Sequence, residues 1–442
     1  MKIIFWDTKK QDVSKDFAGG MGIGKFRVRQ GFRDRIIRHF FTRDRRPVAL
    51  LWAYLAASLK ELGHTIVYTV DRFDPSGDLY LFNPSLLTFD DEVAAIRQVR
   101  AERPDVPIFI VGTVANVMSD AFAELGVTVV KGEGEKLYWK LDEVLESDDP
   151  IVDLGSIEDL DSLPLPDWSP FRPRSFKIGY DFWKFPTALI QQSRGCTMTC
   201  NYCPYIVIES ANRQRSPERV VDEIRNDIDR WGFRSFKFRD PLFGVKRENV
   251  VRLAELIGQL PKKIQFSIET HINLIPLEIL KMLKSVGLTS ITVGIESPNN
   301  ETLKRYKRAP SKEDRQREFV ENCRRLGIRT VAGFLIGFPE DTEQSIRAVL
   351  DYAKLVGPTF ANFNVITPYP GTPFYQQMQD QIEDFDFHHY DVYTPVMKYE
   401  NLTRRRVDEL HGKCFRHYYF RWDYLRENLP LLFPALQRKK AA

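Results

Sequence analysis

The chain is 442 residues long, 43% hydrophobic and 28% charged, with a formal net charge of +4. That length accommodates two or three domains, each with its own core, and the composition is that of an ordinary globular protein. So small a charge gives no warrant for nucleic-acid binding, and five cysteines, three of them clustered, make a poor disulfide framework and point to a reducing cytoplasm.

The N-terminal run MKIIFWDTKKQD leads straight from apolar residues into charges, so it does not read as a signal peptide. The apolar run 48–59 is too short to span a bilayer, and reads as a buried helix with no integral membrane segment. Residues 1–146 alternate strands (2–7, 64–71, 79–84, 107–113, 127–133) with helical patterns. The helices are 47–62, closed by Gly63; 89–102, stopped before Pro104; and 117–125, closed by Gly126. This order predicts an α/β fold with a doubly wound, Rossmann-like parallel sheet, which binds ligands beyond the carboxyl ends of its strands.

Residues 147–185 are rich in Asp, Pro and Ser at their start and lack sustained periodicity, which predicts an interdomain linker. From 186 to 376 six more strands follow, at 187–193, 235–240, 264–269, 290–295, 330–336 and 362–366. Helices separate them. In SPERVVDEIRNDIDRWG, Ser216 caps, Pro217 takes the first helical position and Gly232 stops the helix. Six βα units in series predict a partial (β/α)6 barrel, with its chemistry at the carboxyl ends of the strands. Residues 377–442 are aromatic-rich and predict a C-terminal helical cap over the open side.

The stretch RGCTMTCNYCPY follows the first barrel strand and spaces Cys196, Cys200 and Cys203 as C-x3-C-x2-C. Thiolates select zinc or iron–sulfur centres. Three of them on a cubane cluster leave one iron with an open position, and an open position is where a metal does chemistry. The bland alternative is a zinc knuckle completed elsewhere. Against it, Cys323 and Cys414 lie inside helical patterns with no paired ligand motif.

This cysteine loop, with Tyr202 before the third Cys, resembles the radical S-adenosylmethionine (radical SAM) superfamily. FRDPLFG (238–244), GIESPNNETLKRYKR (294–308), GFLIGFPEDTEQSI (333–346) and TPYPGTPFY (367–375) stand in the order of that superfamily's cobalamin-associated branch. KGEGEKLYWKL (131–141) and PLPDWSPF (164–171) resemble the end of that branch's cobalamin domain and its linker. The resemblance implies that Cys196, Cys200 and Cys203 hold a 4Fe-4S cluster whose fourth iron chelates S-adenosylmethionine. It implies that the backbone at Tyr202 meets the adenine, that Asp240, Glu269 and Glu296 line the cofactor, and that Gly337 lets backbone approach the adenine. His271 stands where the family often has Arg.

The implied chemistry is reductive cleavage of S-adenosylmethionine to a 5′-deoxyadenosyl radical, with methylation of an unactivated carbon through methylcobalamin. A cyclase, oxygenase or rearrangement enzyme, with or without cobalamin, is the alternative within the family, and a non-catalytic cobalamin- or metal-binding regulator the alternative outside it. Methylthiolation of tRNA is set aside, because no cysteine precedes Cys196 to hold a second cluster.

For the implied corrinoid two departures stand out: Thr113 where the family places a second Gly, and a lengthened Gly-rich loop, FAGGMGIGKF (17–26). The implied partners are an electron donor such as flavodoxin or ferredoxin and a small-molecule, lipid or natural-product substrate. Aromatic segments 384–393 and 417–425 read either as an apolar pocket or as core, and basic ends 33–46 and 437–442 as a membrane-facing or a solvated surface.

Overall fold

The computed structural model describes residues 1–8, 13–24, 31–41, 47–208, 211–311 and 313–432, so the basic end 437–442 lies outside the described residues. The first sheet contains β1 (Lys2–Asp7), β2 (Thr65–Val70), β3 (Leu79–Phe82), β4 (Ile108–Ile110), β5 (Thr128–Lys131) and β6 (Ile151–Asp153). Its order is β2-β1-β3-β4-β5-β6, with every pair parallel. β3 and β4 are buried throughout, as continuous apolar runs covered on both faces must be.

The second sheet is the predicted partial barrel. β7 (Thr187–Ile190) is followed by a two-stranded ribbon, β8 (Ser193–Arg194) with β9 (Arg213–Gln214). β10 (Ser235–Phe238), β11 (Gln265–Thr270), β12 (Leu288–Glu296), β13 (Arg329–Ile336) and β14 (Phe360–Val365) complete it. The order β14-β13-β12-β11-β10-β7 is sequential and does not close. The helix Pro217–Trp231 begins and ends as read: Ser216 accepts from Arg219 N at 3.2 Å, and Gly232 takes the left-handed conformation.

Two expectations need correction. The helix read over 117–125 is instead two short helices, Thr113–Val117 and Ser119–Ala123, because the chain kinks at Met118. The stretch read as a linker is built into both domains. Ile151–Asp153 is the sixth strand, pairing with β5. Trp168 is buried and donates to Asp227 at 3.3 Å, and Asp161 accepts from Ser216 N at 3.0 Å. Its apolar residues are spaced irregularly among prolines, so no period announces them, yet Ile157, Leu160, Leu163, Trp168 and Phe171 are buried.

The end of this stretch floors the barrel. Asp181 accepts from Lys237 at 2.8 Å and, through its carbonyl, from Thr289 at 3.0 Å. The Arg329 guanidinium lies 3.7 Å from the Trp183 ring centroid.

Above that floor the barrel is open inside. Along β11 to β14, Glu269, Thr292, Gly294, Val331, Gly333, Asn362 and Asn364 are partly exposed. Their neighbours Ile268, Val293, Ala332, Phe334, Ala361 and Phe363 are buried on the outer face. A closed barrel packs its interior with side chains; this alternation marks a chamber.

The C-terminal helix Arg404–Tyr419 lies along the free edge of β14. His411 Nε2 donates to the Phe363 carbonyl at 2.9 Å, while the Tyr419 hydroxyl accepts from Ala361 N at 3.0 Å and donates to Ala361 O at 2.9 Å. Side chains thereby occupy backbone groups that an edge strand leaves unpaired. Phe415, Tyr418, Tyr419 and Tyr424 stack on one another and on Phe363, outside the chamber. The core reading of segment 417–425 is therefore the one the packing supports. Among the described residues no helix is long and apolar enough to cross a membrane.

Candidate active site

The cysteine loop hangs from a β-ribbon at the carboxyl end of β7. Asp240 accepts from Gln192 N at 3.0 Å and from the backbone and hydroxyl of Ser193, the latter at 2.7 Å. Asp240 is thus placed beneath the loop, fixing its takeoff. Burial pushes its carboxyl up to about 6.

Gly195 has φ 80°, and a Cβ there would lie 1.8 Å from the Ala211 carbonyl oxygen. Only glycine lets the outgoing and returning arms of the loop pass this closely. The loop is also tied to the barrel rim, by Asn201 N to Tyr306 O at 3.2 Å and Phe374 N to Asn201 O at 3.1 Å.

Cys196 and Cys200 are buried and Cys203 is partly exposed. Burial raises the thiols of Cys196 and Cys203, the latter to about 12, so metal binding there releases protons. Among the described residues the one group of three metal-ligating side chains whose ligand atoms converge within 4.8 Å is Asp90, Asp386 and His388. At least one pair of the three thiols therefore stands more than 4.8 Å apart, farther than the sulfurs of one tetrahedral zinc, about 3.8 Å apart. That breadth fits a cubane.

Glu296 ends β12 in the left-handed region, at φ 69°, where the register with β13 shifts. Its carboxylate folds back over Gly294, where a Cβ would come within 2.2 Å of Glu296 Oε1. Arg308, which sequence reasoning missed, completes the group. Its Nη2 donates to Gly294 O at 2.8 Å and lies 3.7 Å from Glu296 Oε1, while Nη1 lies 3.7 Å from Cys200 Sγ.

Burial raises the Glu296 carboxyl, and Arg308 opposes that rise. Burial and the nearby Glu296 also raise the Tyr202 phenol, whose buried hydroxyl has no hydrogen-bond partner among the described residues. Nothing local in RYKRAPS separates Arg308 from Arg305 or Lys307; only the fold brings it here.

The remaining predicted residues are placed differently. Glu269 faces the chamber, holding Arg239 at 2.6 Å and Lys237 at 3.3 Å. His271 accepts from Asn273 N at 3.2 Å, and burial together with Arg308 holds its imidazole down at about 4. Gly337 has φ 76°, and its backbone N–H donates to Asp341 at 2.8 Å. A Cβ at Gly337 would meet Val365, Val407 and Tyr399, so packing alone already favours glycine there.

Between the two sheets lies a cavity of about 190 Å³, lined by Gly20, Thr113, Gly134, Arg194, Arg213 and Arg239 among others. The two departures noted in the sequence meet in it. Thr113 Oγ1 donates to Gly19 O at 2.6 Å, and a Cβ on Gly20 would stand 2.4 Å from that hydroxyl. The Gly-rich loop is thus docked on Thr113.

The loop is pinned further by ion pairs. Asp16 meets Arg239 at 3.1 Å, and Lys15 meets Asp7 at 2.6 Å and the buried Glu92, whose carboxyl burial raises to about 7. Across the cavity Arg194 pairs with Glu133 and Glu135 at 3.0 and 2.7 Å, and Arg213 with Glu133 at 2.9 Å. Although burial opposes it, the two arginines hold Glu133 down at about 2.

Residues 190–353 match the family model of the Radical SAM superfamily, and the barrel is a radical SAM domain. Members of that superfamily hold a 4Fe-4S cluster and S-adenosylmethionine, and the matched residues include Cys196, Cys200 and Cys203.

Among curated proteins, the chain is 27% identical over 317 residues to the anaerobic magnesium-protoporphyrin IX monomethyl ester cyclase of Cereibacter sphaeroides, covering 66% of this chain and 51% of that one. It is 25% identical over 425 residues to the hopanoid C-3 methylase of Methylococcus capsulatus, covering 87% and 79%. The chain thus spans about half the length of the cyclase.

Among solved structures, TsrM from Kitasatospora setae, a radical S-adenosylmethionine methyltransferase with cobalamin and a [4Fe-4S] cluster bound, superposes with a TM-score of 0.62 at 16% identity, covering 86% and 75%. OxsB, a cobalamin-dependent S-adenosylmethionine radical enzyme, gives 0.65 at 14%, covering 94% and 66%. These share the fold: a Rossmann-like sheet, a partial barrel and C-terminal helices.

Proposed function

We propose that this chain is a cobalamin-dependent radical SAM enzyme that methylates an unactivated carbon of a small molecule held in the barrel chamber. The observation that carries this reading is the juxtaposition of three features. A cysteine loop hangs over a hollow, polar-lined barrel, and beside it a cavity opens between the carboxyl ends of two parallel sheets.

Cys196, Cys200 and Cys203 would hold a 4Fe-4S cluster, which would supply one-electron reduction of S-adenosylmethionine. The chain's own residues provide position and exclusion of water. Asp240 fixes the loop's takeoff and Gly195 its close crossing. Glu296, held by Arg308, offers a carboxylate to an ammonium or a ribose hydroxyl. Tyr180, whose ring centroid lies 5.5 Å from Lys237 Nζ, closes the floor with Asp181 and Trp183, keeping water from a reactive intermediate.

The interdomain cavity suits a corrinoid by place and by lining, with backbone at Gly20, Gly112 and Gly134 and donors from Arg194, Arg213 and Arg239. The loop docked on Thr113 lines this cavity, so a corrinoid entering it would meet that loop. Relatives of both kinds match along most of this chain, the hopanoid C-3 methylase over 87% of it and the anaerobic cyclase of Rubrivivax gelatinosus over 85%; methyl transfer is preferred because the cavity between the sheets offers a place for a methyl-carrying corrinoid.

The test is anaerobic reconstitution. About four irons per chain, 5′-deoxyadenosine on reduction with S-adenosylmethionine, and bound cobalt after offering hydroxocobalamin are expected. Cobalt-free protein that still forms 5′-deoxyadenosine removes the corrinoid step and leaves ring formation or rearrangement.

A further inference from the structure

The inner wall of the chamber on β13 and β14 carries a directed array of amides. Asn362 and Asn364 occupy alternate positions of β14 and face inward, as Phe363 between them packs outward on Phe334 and Phe415. The Tyr393 hydroxyl donates to Asn362 Oδ1 at 3.2 Å, and Asn362 Nδ2 donates to Asn364 Oδ1 at 2.8 Å. Both acceptors are thereby used in series, and the chain of bonds ends at Asn364 Nδ2, a donor with no hydrogen-bond partner among the described residues.

That donor stands over a gap. Gly333 of β13, paired in register with Asn362, faces inward within reach of that donor, and a Cβ there would meet nothing nearer than 3.9 Å, the closest atoms being Asn364 Nδ2 and Val293 O. Its φ is not in the left-handed region, so neither backbone conformation nor packing requires glycine. A strand interior normally disfavours glycine. What Gly333 provides is room, in front of an oriented N–H donor, in a chamber otherwise lined by Glu269, Thr292 and Val331.

We infer that Asn364, oriented through Asn362 by Tyr393, and the gap at Gly333 form a substrate subsite for a carbonyl or carboxylate oxygen. The substrate is then a polar, carbonyl-bearing small molecule, not a hydrocarbon-like lipid. This rests on the reading of the chamber as the place of reaction, and deepens it. An apolar ligand would leave the amide N–H dry and unpaired, a penalty comparable to a lost hydrogen bond, whereas a carbonyl oxygen satisfies it.

The test uses cluster-loaded full-length protein under anaerobic conditions, with acetamide, acetate, methylammonium and toluene as probes in saturation-transfer NMR. Acetamide or acetate should bind the parent chain, and weaken about fivefold, the value of one hydrogen bond, in Asn364→Leu. Gly333→Leu, which fills the gap and leaves the amides in place, should abolish the same signal.

S-adenosylmethionine affinity is measured on the same samples. A loss in Asn364→Leu as large as that of the acceptor probes would assign the donor to the cofactor and overturn the inference. So would binding of toluene or methylammonium alone, or acceptor binding insensitive to both variants. Iron content and 5′-deoxyadenosine yield are read separately, so failure of the enzymatic reading is distinguishable from failure of the subsite.

Discussion

The guanidinium of Arg194 lies 3.0 Å from the carboxylate of Glu133, and so joins the strand that launches the cysteine loop to the carboxyl end of the N-terminal sheet. The pair is nearly buried, at 12% and 8% side-chain exposure, and Glu135 and Arg213 share it. Removing one member of a buried pair strands the other, which costs about 3 kcal/mol or more. Arg194→Met should therefore lower the urea midpoint of unfolding clearly. The double variant Arg194→Met with Glu133→Gln should recover part of the loss, and a double variant no more stable than the single would refute the coupling.

Gly195→Ala is expected to abolish iron binding, because its methyl group meets a backbone carbonyl and its φ is left-handed. Gly126→Ala, also left-handed but open to solvent, should load iron normally and lose only about 1 kcal/mol of stability. Iron analysis and thermal melts of the two variants check this contrast.

Cys200→Ala should lose both the cluster and 5′-deoxyadenosine formation, since three ligands are the minimum here. Arg308→Met should keep the iron yet weaken S-adenosylmethionine binding, because Glu296 is left without its cation. Iron content and a binding titration separate the two outcomes.

Buried His271 titrates near 4 when folded, against an ordinary value of 6.5. The sign follows: between those values the unfolded chain binds the proton and the folded chain does not, so stability is lost as pH falls from 6.5 to 4. His271→Asn should flatten that part of the stability profile and leave it unchanged above pH 7. A parallel profile for the variant would show that other groups govern the acid limb.

Thr113→Gly removes the hydroxyl that holds Gly19 O and should free the loop over the interdomain cavity. Hydroxocobalamin is expected to bind this variant faster than the parent chain. Slower or weaker binding would show that the threonine supports the corrinoid instead of opposing its entry.

The cysteine triad is legible in the sequence because its members lie within eight residues, and the structure keeps all three on one loop. The runs of β11 to β14 are legible as strands, and their alternation in the structure puts Glu269 of β11 and Asn364 of β14 inside. Arg308 was not, since its partners come from β12 and from the cysteine loop. Asp240 was recognised as a strand-end carboxylate, but its hydrogen bonds run to the backbone of Gln192 and Ser193, which only the parallel pairing of β10 with β7 brings alongside. The stretch 147–185 was misread for a related reason: without a period, its apolar residues give no sign of where they will be buried.

Tyr180, Asp181 and Trp183 belong at once to the tether and to the bottom of the chamber. A barrel cut out at residue 186 would be a tube without a base, open to bulk water from below. Exchanging N-terminal domains between relatives therefore has to be done upstream of this segment, and any swing of one sheet against the other pulls directly on the floor of the chamber.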